Sequence, residues 1–300
     1  MLEYSAIIPA RNEERHVAGA VESVLAQTLA PRAVIVVDDG STDRTAEVAT
    51  ACGPVQVVRH ETSRGLAAAR NSGVAAVATP WVAFLDADDR WEAVKLARQS
   101  EIAATTGAGL VYCGLRLTRE DGSRDEEVMA TVFRTHRRLR RELLCRNCVT
   151  GSGSGVLVRT DLVRAAGGFA ETLRVAEDWD MWLRLSVATT FAAVIEPMVT
   201  LLQRPVSLGS DPERIFHGAL EVIDRNAARY REFLDGAILR RRARSRAYER
   251  LGQGCIALGR MSQARRCYFK AAWLWPFRAR VVHPLVKLCT GMLREARSDA

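Results

Sequence analysis

The chain has 300 residues, of which 48% are hydrophobic and 26% are charged, a composition typical of a soluble globular protein. This length leaves room for one large domain, or for one domain with a smaller companion. The formal net charge of +8 favours acidic partners such as nucleic acid, an anionic membrane surface or phosphorylated ligands, without choosing among them.

Three classes of protein are not expected. No apolar run reaches the roughly 18 residues of a membrane span, since the nearest candidate, residues 187–202, contains Glu196 and Pro197. The N-terminus lacks the basic and long apolar segments of a secretory signal. Seven scattered cysteines favour reduced thiols over a disulfide framework, and the CxxC of Cys145 and Cys148 lacks two further ligands at zinc spacing.

The first 90 residues alternate between strand and helix patterns. Short apolar or β-branched runs predict strands at residues 4–10, 33–37, 55–60 and 81–85. Helical spacing of apolar residues, or a high alanine content, predicts helices at residues 13–29, 43–51 and 66–78. Strands that alternate with helices favour a parallel α/β sheet with short connections.

Beyond residue 105 the pattern is less regular. Residues 109–118 predict a strand, 134–147 a basic helix or loop, 150–160 a glycine-rich loop entering a strand, and 176–186 the start of a helix. Residues 213–300 lack strand patterns, and residues 251–276 resemble one tetratricopeptide-like helix pair. We therefore expect a main domain over residues 1–205 and a helical, basic C-terminal region over residues 206–300.

Two of the predicted strands end in clusters of acids. VVDDGSTD places Asp38 and Asp39 after one strand, and FLDADD places Asp86, Asp88 and Asp89 after another. Ligands of parallel α/β sheets collect beyond the carboxyl ends of the strands, so these clusters and the PARNE end of the first strand converge if the strands are neighbours. Clustered carboxylates suit Mg²⁺ or Mn²⁺ bound to phosphate oxygens. The alternative is that the acids cap the following helices and face solvent.

Four motifs, in their order and spacing, resemble those of the family 2 glycosyltransferases. They are IIPARNEE, VVDDGSTDRT, the segment from ARNSG to FLDADD, and GGF followed by AEDWDMWLRL. The similarity covers about residues 4–205. It implies a GT-A nucleotide-diphospho-sugar transferase fold, an α/β fold with a mostly parallel sheet flanked by helices and a helical C-terminal extension. It also implies inverting transfer of a sugar from a nucleotide-diphosphate donor.

The resemblance assigns the donor side of the site. It implies that Asp39 accepts a hydrogen bond from the nucleobase and that Asp38 supports that turn. Asp86 is implied to lie by the ribose, and Asp88 to hold a divalent metal, Mg²⁺ or Mn²⁺, on the donor diphosphate. The other nucleotide-binding residues that it implies are Pro9, Arg11, Glu13 and either Arg64 or Arg70. For each arginine the alternative is a solvated charge on a helix or loop.

The AEDWD motif is expected to activate the acceptor. In the family's ED motif the aspartate is the general base, which corresponds to Asp178. An alcohol is a poor nucleophile, so a carboxylate within hydrogen-bonding reach is needed to take its proton. Glu177, Trp179 and Ser154 are expected on the acceptor side, and GSGSG at 151–155, which contains Ser154, is expected to form a flexible loop beside the acceptor. The alternative is that Glu177 and Asp178 only stabilise the first turn of a helix through its dipole.

Two departures from the family pattern bear on the donor site. Arg11 stands where many relatives carry a tyrosine, so a guanidinium contact would replace base stacking. No histidine lies near residues 201–210, where many relatives carry one. Metal coordination is therefore expected to rely on Asp88, phosphate and water.

The C-terminal stretch 271–297 combines tryptophans and a phenylalanine with basic residues. Aromatic residues beside basic ones suit a membrane interface, and the alternative is an amphipathic helix packed on its own domain. The first reading predicts a cytoplasmic protein that is peripheral on the inner face of the cell membrane.

The expected partners are a nucleotide-diphosphate sugar and a saccharide or lipid-linked acceptor, in cell-surface polysaccharide or glycolipid assembly. Nucleic acid is not expected, because basic residues alternate with aromatic ones only in the tail. Two alternatives stay open. A sugar-nucleotide nucleotidyltransferase would need a glycine-rich, lysine-bearing N-terminal motif, and a catalytically inactive scaffold would act through the helical tail.

Overall fold

The computed structural model describes residues 2–119, 126–151, 153–204, 211–230, 236–276 and 284–285. The chain divides into two compact units. Unit 1 comprises residues 1–140 and 147–205, and unit 2 comprises residues 141–146 and 206–300. Most of the tail at 271–297 lies outside the described residues, which include only its parts 271–276 and 284–285.

Nine strands lie in the described part of the chain: β1 Tyr4–Ala10, β2 Ala33–Asp38, β3 Val55–Arg59, β4 Trp81–Phe84, β5 Arg90–Trp91, β6 Leu110–Arg119, β7 Glu126–Val128, β8 Leu157–Arg159 and β9 Phe191–Gln203. The helices of unit 1 are α1 Val17–Leu25, α2 Thr45–Ala51, α3 Leu66–Ala76, α4 Lys95–Thr106, α6 Thr160–Ala165 and α7 Glu177–Ala188. Helix α5, His136–Cys145, contains the boundary between the units, and unit 2 continues with α8 Pro212–Asn226, α9 Gly236–Ala257 and α10 Met261–Leu274. The strands and helices predicted over the first 90 residues are confirmed, although helix α1 begins at Val17 rather than at Glu13.

The sheet of unit 1 is mixed. Its strand order is β3-β2-β1-β4-β8-β6-β9-β5, with β7 paired to β6. Strands β3, β2, β1 and β4 are parallel, as expected, and β6 is parallel to β9. The pairs β4–β8, β6–β8, β6–β7 and β5–β9 are antiparallel. The sheet is therefore parallel on the side of the predicted acid clusters and mixed beyond β4.

Strand β1 forms the centre of the parallel part. All seven of its residues are buried, which fits a strand covered on both faces. Helix α3 lies close against it, since a Cβ atom on Gly73 would sit 2.5 Å from Cγ2 of Ile7. A side chain at position 73 would push α3 away from β1, so glycine sets this spacing.

Strand β9 was not expected from the sequence. From the sequence, residues 187–202 form only an apolar run that Glu196 and Pro197 make too polar to span a membrane. In the structure, β9 pairs in parallel with β6, and the register shifts at Gly114. A Cβ on Gly114 would lie 2.7 Å from the carbonyl oxygen of Ile195, so this irregular pairing needs glycine. Among the described helices, none combines the length and apolar character needed to cross a membrane.

Unit 2 is helical where it is described, as the sequence predicts. Helices α9 and α10 are joined by residues 258–260, and Gly259 has a φ of 71°. The Oγ of Ser245 donates to the carbonyl oxygen of Ala271 at 2.8 Å. The helix pair predicted at 251–276 is therefore present, and its likeness to a tetratricopeptide repeat stays a prediction.

Candidate active site

The predicted crevice lies at the carboxyl ends of β1, β2 and β4. Strand β1 is flanked by β2 and β4, and Ala10 at its end is in register with Asp38. Pro9 is buried inside β1, whereas Arg11 just beyond it is exposed. The expected convergence of the three strand ends is confirmed, because the strands are neighbours and run in the same direction.

Asp38 is a buried support for the turn after β2. Its Oδ1 accepts a hydrogen bond from the backbone N–H of Ser41 at 3.0 Å, and its Oδ2 lies 3.3 Å from Nε of Arg59. This agrees with the supporting role that the resemblance implies.

Asp39 organises the loop at residues 60–65. Its carboxylate accepts hydrogen bonds from His60 Nδ1 at 2.7 Å, Ser63 Oγ at 2.7 Å, and the backbone N–H groups of Arg64 and Gly65 at 2.8 Å. Burial alone would raise the pKa of Asp39, but these donors outweigh it and lower that pKa. A carboxylate offers about four acceptor positions. All of them are used within the protein here, so a nucleobase contact stays a prediction that requires one of these bonds to open.

Arg70 joins the donor side to the acceptor side. Its guanidinium is buried and donates to Asp86 Oδ1 at 2.8 Å and to Glu177 Oε1 at 2.6 Å. Burial opposes the charge of Arg70, but Asp86, Glu177 and Asp178 outweigh that effect and raise the pKa of the guanidinium. One buried cation thus offsets the carboxylates of two separate motifs, and sequence reasoning had treated it only as a possible nucleotide contact.

The turn at residues 86–89 is held from the glycine-rich loop. Ser154 is fully buried, and its Oγ donates a hydrogen bond to Asp89 Oδ2 at 2.6 Å. The Ser154 Oγ also accepts a hydrogen bond from the backbone N–H of Asp86 at 3.0 Å. Asp89 Oδ1 accepts the N–H of Leu202 at 3.3 Å. Burial and the charges of Asp86 and Asp88 raise the pKa of Asp89 well above its usual range. Asp89 is therefore a structural acid.

Ser154 corrects an expectation. We expected the GSGSG loop to be flexible and Ser154 to face the acceptor. The side chain instead has no exposed surface, and its hydroxyl is used both as donor and as acceptor inside the protein. Ser154 positions the Asp86–Asp89 turn, while Ser152 of the same loop lies outside the described residues.

Asp88 faces Arg204 at the end of β9. Its Oδ2 lies 2.9 Å from Nη2 of Arg204, and that guanidinium also donates to Glu13 at 2.6 and 3.0 Å. Burial, followed by the charge of Asp86, raises the pKa of Asp88, and Arg204 opposes this in part. Glu13, expected to bind nucleotide, therefore pairs with Arg204 in this structure.

The donor atoms at Asp88 fit a divalent metal only in part. Mg²⁺ is commonly held by one or two carboxylates with substrate phosphates and water, which suits the hard oxygen of Asp88. Within the described residues, no group of three or more His, Cys, Asp or Glu side chains could hold a metal ion. Because Arg204 contacts Asp88 Oδ2, a metal at that oxygen would have to displace the guanidinium.

Asp178 lies in the first turn of α7. Its Oδ2 accepts a hydrogen bond from Asn147 Nδ2 at 3.1 Å, and its Oδ1 accepts one from the backbone N–H of Trp179 at 2.7 Å. The neighbouring acid Glu177 is buried, and burial raises its pKa although Arg70 opposes the rise. Asn147 orients the Asp178 carboxylate, and Trp179 is buried.

The remaining predicted residue, Arg64, is half exposed. Its guanidinium lies 3.5 Å from Glu171, and its backbone N–H serves Asp39. Sequence reasoning missed three residues of this site: His60, Asn147 and Arg204. No local pattern identifies them, because each acts through a partner that is distant in the sequence.

Comparisons with known proteins agree with the geometry. A family model described as glycosyl transferase family 2 matches residues 5–167, more than half of the chain. The chain is 27% identical over 192 residues to UDP-Glc:alpha-D-GlcNAc-diphosphoundecaprenol beta-1,3-glucosyltransferase WfgD of Escherichia coli, covering 63% of this chain and 72% of that protein. It is 48% identical over 87 residues to succinoglycan biosynthesis protein ExoU of Rhizobium meliloti, covering 28% of this chain and 25% of that protein.

Two solved structures are similar in fold. S. aureus TarS 1-349 matches with a TM-score of 0.63 and 18% identity, covering 97% of this chain and 91% of that chain. The mannosyltransferase PcManGT from Pyrobaculum calidifontis, in complex with GDP-Man and Mn²⁺, matches with a TM-score of 0.57 and 18% identity, covering 97% and 85%. The expected GT-A-like α/β fold, with a mixed sheet flanked by helices and a helical C-terminal region, is thereby confirmed.

Proposed function

This chain belongs to glycosyl transferase family 2 and is a glycosyltransferase, and we propose that it moves a sugar, with inversion, from a nucleotide-diphosphate donor to a hydroxyl of a saccharide or lipid-linked acceptor. The observation that carries the proposal is the Arg70 bridge. It ties Asp86, at the end of a donor-side strand, to Glu177, the neighbour of the proposed base Asp178.

Asp178 is the proposed general base. Its carboxylate is held by Asn147 and takes the proton of the acceptor hydroxyl as that oxygen attacks the anomeric carbon. The bond from the anomeric carbon to the diphosphate oxygen breaks in the same displacement, which inverts the configuration at carbon. A single base and no covalent intermediate suffice for this chemistry.

The donor occupies the crevice at the ends of β1, β2 and β4 in this proposal. Pro9, Arg11, Glu13, Asp38, Asp39, Arg64 and Asp86 are proposed to bind or position the nucleotide. A divalent metal bound through Asp88 would stabilise the negative charge on the departing diphosphate. Support comes from the structural neighbour whose complex contains GDP-Man and Mn²⁺ and from another that contains UDP-GlcNAc.

The acceptor and location rest on a relative. WfgD, by its name, acts on a GlcNAc-diphosphoundecaprenol, which is a lipid-linked saccharide. By analogy we assign this chain a lipid-linked or saccharide acceptor in cell-surface polysaccharide or glycolipid assembly. We also assign it a cytoplasmic position, peripheral on the inner face of the membrane, where such an acceptor is presented.

Donor binding provides the first test. Thermal stabilisation and donor hydrolysis would be measured with UDP-, GDP- and dTDP-sugars, with and without Mn²⁺, for wild type and Asp88→Ala. A response to one nucleotide family that needs Mn²⁺ and is lost in the variant is expected, while Asp161→Ala, an exposed acid paired with Arg159, should respond as wild type does. A folded wild-type protein that responds to no donor would support the scaffold alternative instead.

A further inference from the structure

Helix α10 has two faces of opposite character. One face packs inside unit 2, and its buried members are Ala264, Cys267, Tyr268 and Ala271. A Cβ atom on Gly252 of α9 would lie 2.7 Å from the Tyr268 ring, so the two helices are in close contact along this face. The position of the opposite face is therefore fixed.

That opposite face exposes two large aromatic side chains. Phe269 is 67% exposed and Trp273 is 69% exposed, the highest values among the large hydrophobic residues of the described chain. They are four positions apart, so they lie on the same side of the helix. With Leu285 they line an open apolar groove of about 480 Å³. Exposing this much aromatic surface is unfavourable in water and marks an interaction site.

Cations surround the aromatic residues. Arg265, Arg266 and Lys270 line the same groove, and both arginines are exposed. Lys270 Nζ lies 5.5 Å from the centre of the Tyr248 ring. No carboxylate in the described part of the chain forms an ion pair with Arg265 or Arg266. The face therefore combines apolar surface with uncompensated positive charge.

The positive charge of the groove distinguishes three candidate partners: the chain's own C-terminal segment, a second copy of the chain and an anionic partner. Residues 277–300, of which Leu285 already lines one side of the groove, carry five basic residues against two acidic ones, so this segment adds like charge and does not neutralise the three cations. A second copy of the chain would place the same three cations against this face. An anionic partner is favoured instead, and aromatic side chains next to cations are the composition of helices that lie in a lipid headgroup layer.

We infer that this face of α10, formed by Arg265, Arg266, Phe269, Lys270 and Trp273, binds an anionic lipid bilayer. The aromatic rings enter the boundary between headgroups and acyl chains, and the cations contact the lipid phosphates. The inference deepens the peripheral location proposed above and rests on it, but not on the identity of the donor.

Vesicle binding tests the inference on the full chain without donor. Flotation would compare vesicles of phosphatidylcholine alone with vesicles that also contain phosphatidylglycerol. Binding is expected only to the anionic vesicles, and it should weaken with added salt. Each aromatic replaced, Phe269→Ser or Trp273→Ser, should lower affinity at least about tenfold. Arg265→Glu and Arg266→Glu should lower it by at least about fivefold each.

A matched control removes exposed apolar surface elsewhere in the same unit. Ile238 is 50% exposed near the start of α9, and Ile238→Ser should leave vesicle binding unchanged. Equal binding to neutral vesicles, or unchanged binding by the serine variants, would overturn the inference. The inference would also be overturned if the wild-type protein bound single-stranded RNA as tightly as anionic vesicles and the same variants abolished RNA binding. The variants should bind nucleotide-sugar as tightly as wild type does. This measurement therefore distinguishes a failure of the lipid inference from a failure of the proposed function.

Discussion

Arg204 Nη2 lies 2.9 Å from Asp88 Oδ2, so a guanidinium contacts the carboxylate proposed to hold the metal. The same group donates to Glu13 at 2.6 Å, which keeps it in place between two acids. Arg204 therefore supplies the positive charge that two neighbouring carboxylates need when no other cation is bound. A divalent metal bound at Asp88, as proposed above, would compete with this guanidinium.

The first prediction follows from this competition. Arg204→Gln removes the competing charge, so Mn²⁺ measured by electron paramagnetic resonance in the absence of nucleotide should bind about tenfold more tightly. Arg204→Lys keeps a cation and should bind Mn²⁺ much as wild type does. Arg98→Gln, which affects only an exposed pair with Glu196 and one with Glu101, serves as the control. Weaker or unchanged Mn²⁺ binding in a folded Arg204→Gln protein would contradict the competition.

The second prediction concerns the proposed base. Asp178→Asn keeps the shape of the side chain but cannot accept a proton, so the transfer rate should fall by about 10²- to 10⁴-fold. Nucleotide affinity should change little, because the proposed base acts on the acceptor. Steady-state kinetics with isothermal titration of the nucleotide would check both, with Asp161→Asn as an exposed control. A rate within a few-fold of wild type would remove Asp178 from the mechanism.

The third prediction concerns the buried bridge at Arg70. Arg70→Gln leaves Asp86 and Glu177 without their shared cation and should lower the free energy of unfolding by about 3–5 kcal/mol. Adding Glu177→Gln removes one uncompensated charge and should recover part of the loss. Arg64→Gln alters only a half-exposed pair and should cost under about 1 kcal/mol. Urea denaturation of wild type, the two single variants and the double variant gives the free energies of unfolding. If Arg70→Gln lowers this free energy no more than Arg64→Gln does, Arg70 is dispensable for stability.

The fourth prediction is a pH dependence of stability. Lys95 is fully buried, its Nζ donates to Gln99 Oε1 at 2.9 Å, and burial lowers its pKa from 10.5 to about 8. The unfolded chain therefore binds more protons between these two pH values, and stability rises with pH across that interval. The rise should amount to up to about 3 kcal/mol.

Lys95→Met isolates that contribution. The free energy of unfolding would be measured by urea denaturation at several pH values. As pH rises from about 8 towards 10.5, wild type should become more stable relative to the variant. Below about pH 8 the difference should be constant, since the lysine is then protonated in both states. A difference that does not vary with pH over the upper interval would show that Lys95 is already charged in the folded protein.

The sequence predicted the donor half of the fold well because its information is local. Each of the strands β1 to β4 is a short, mainly apolar or β-branched segment, so Asp38 and Asp86 could be placed at strand ends from the pattern alone. Strand β9 was missed because Glu196 and Pro197 break its pattern. Its pairing tolerates them through the register shift at Gly114.

The residues that sequence reasoning missed depend on distant partners. Arg204 is defined by Glu13 and Asp88, and His60 by Asp39. Glycine-rich sequence suggested a flexible loop at 151–155, whereas Ser154 became a buried link to the Asp86–Asp89 turn. Such pairings arise from tertiary contacts, which residue spacing does not encode.

The division of the chain into two compact units has a consequence for its evolution. The residues proposed for donor binding and for proton transfer all lie in unit 1, and the face proposed for lipid lies in unit 2. On this proposal, substitutions on α10 change where in the cell the enzyme acts without altering the residues that carry its chemistry. In related proteins, cellular location and sugar specificity can then change through separate mutations that are selected independently.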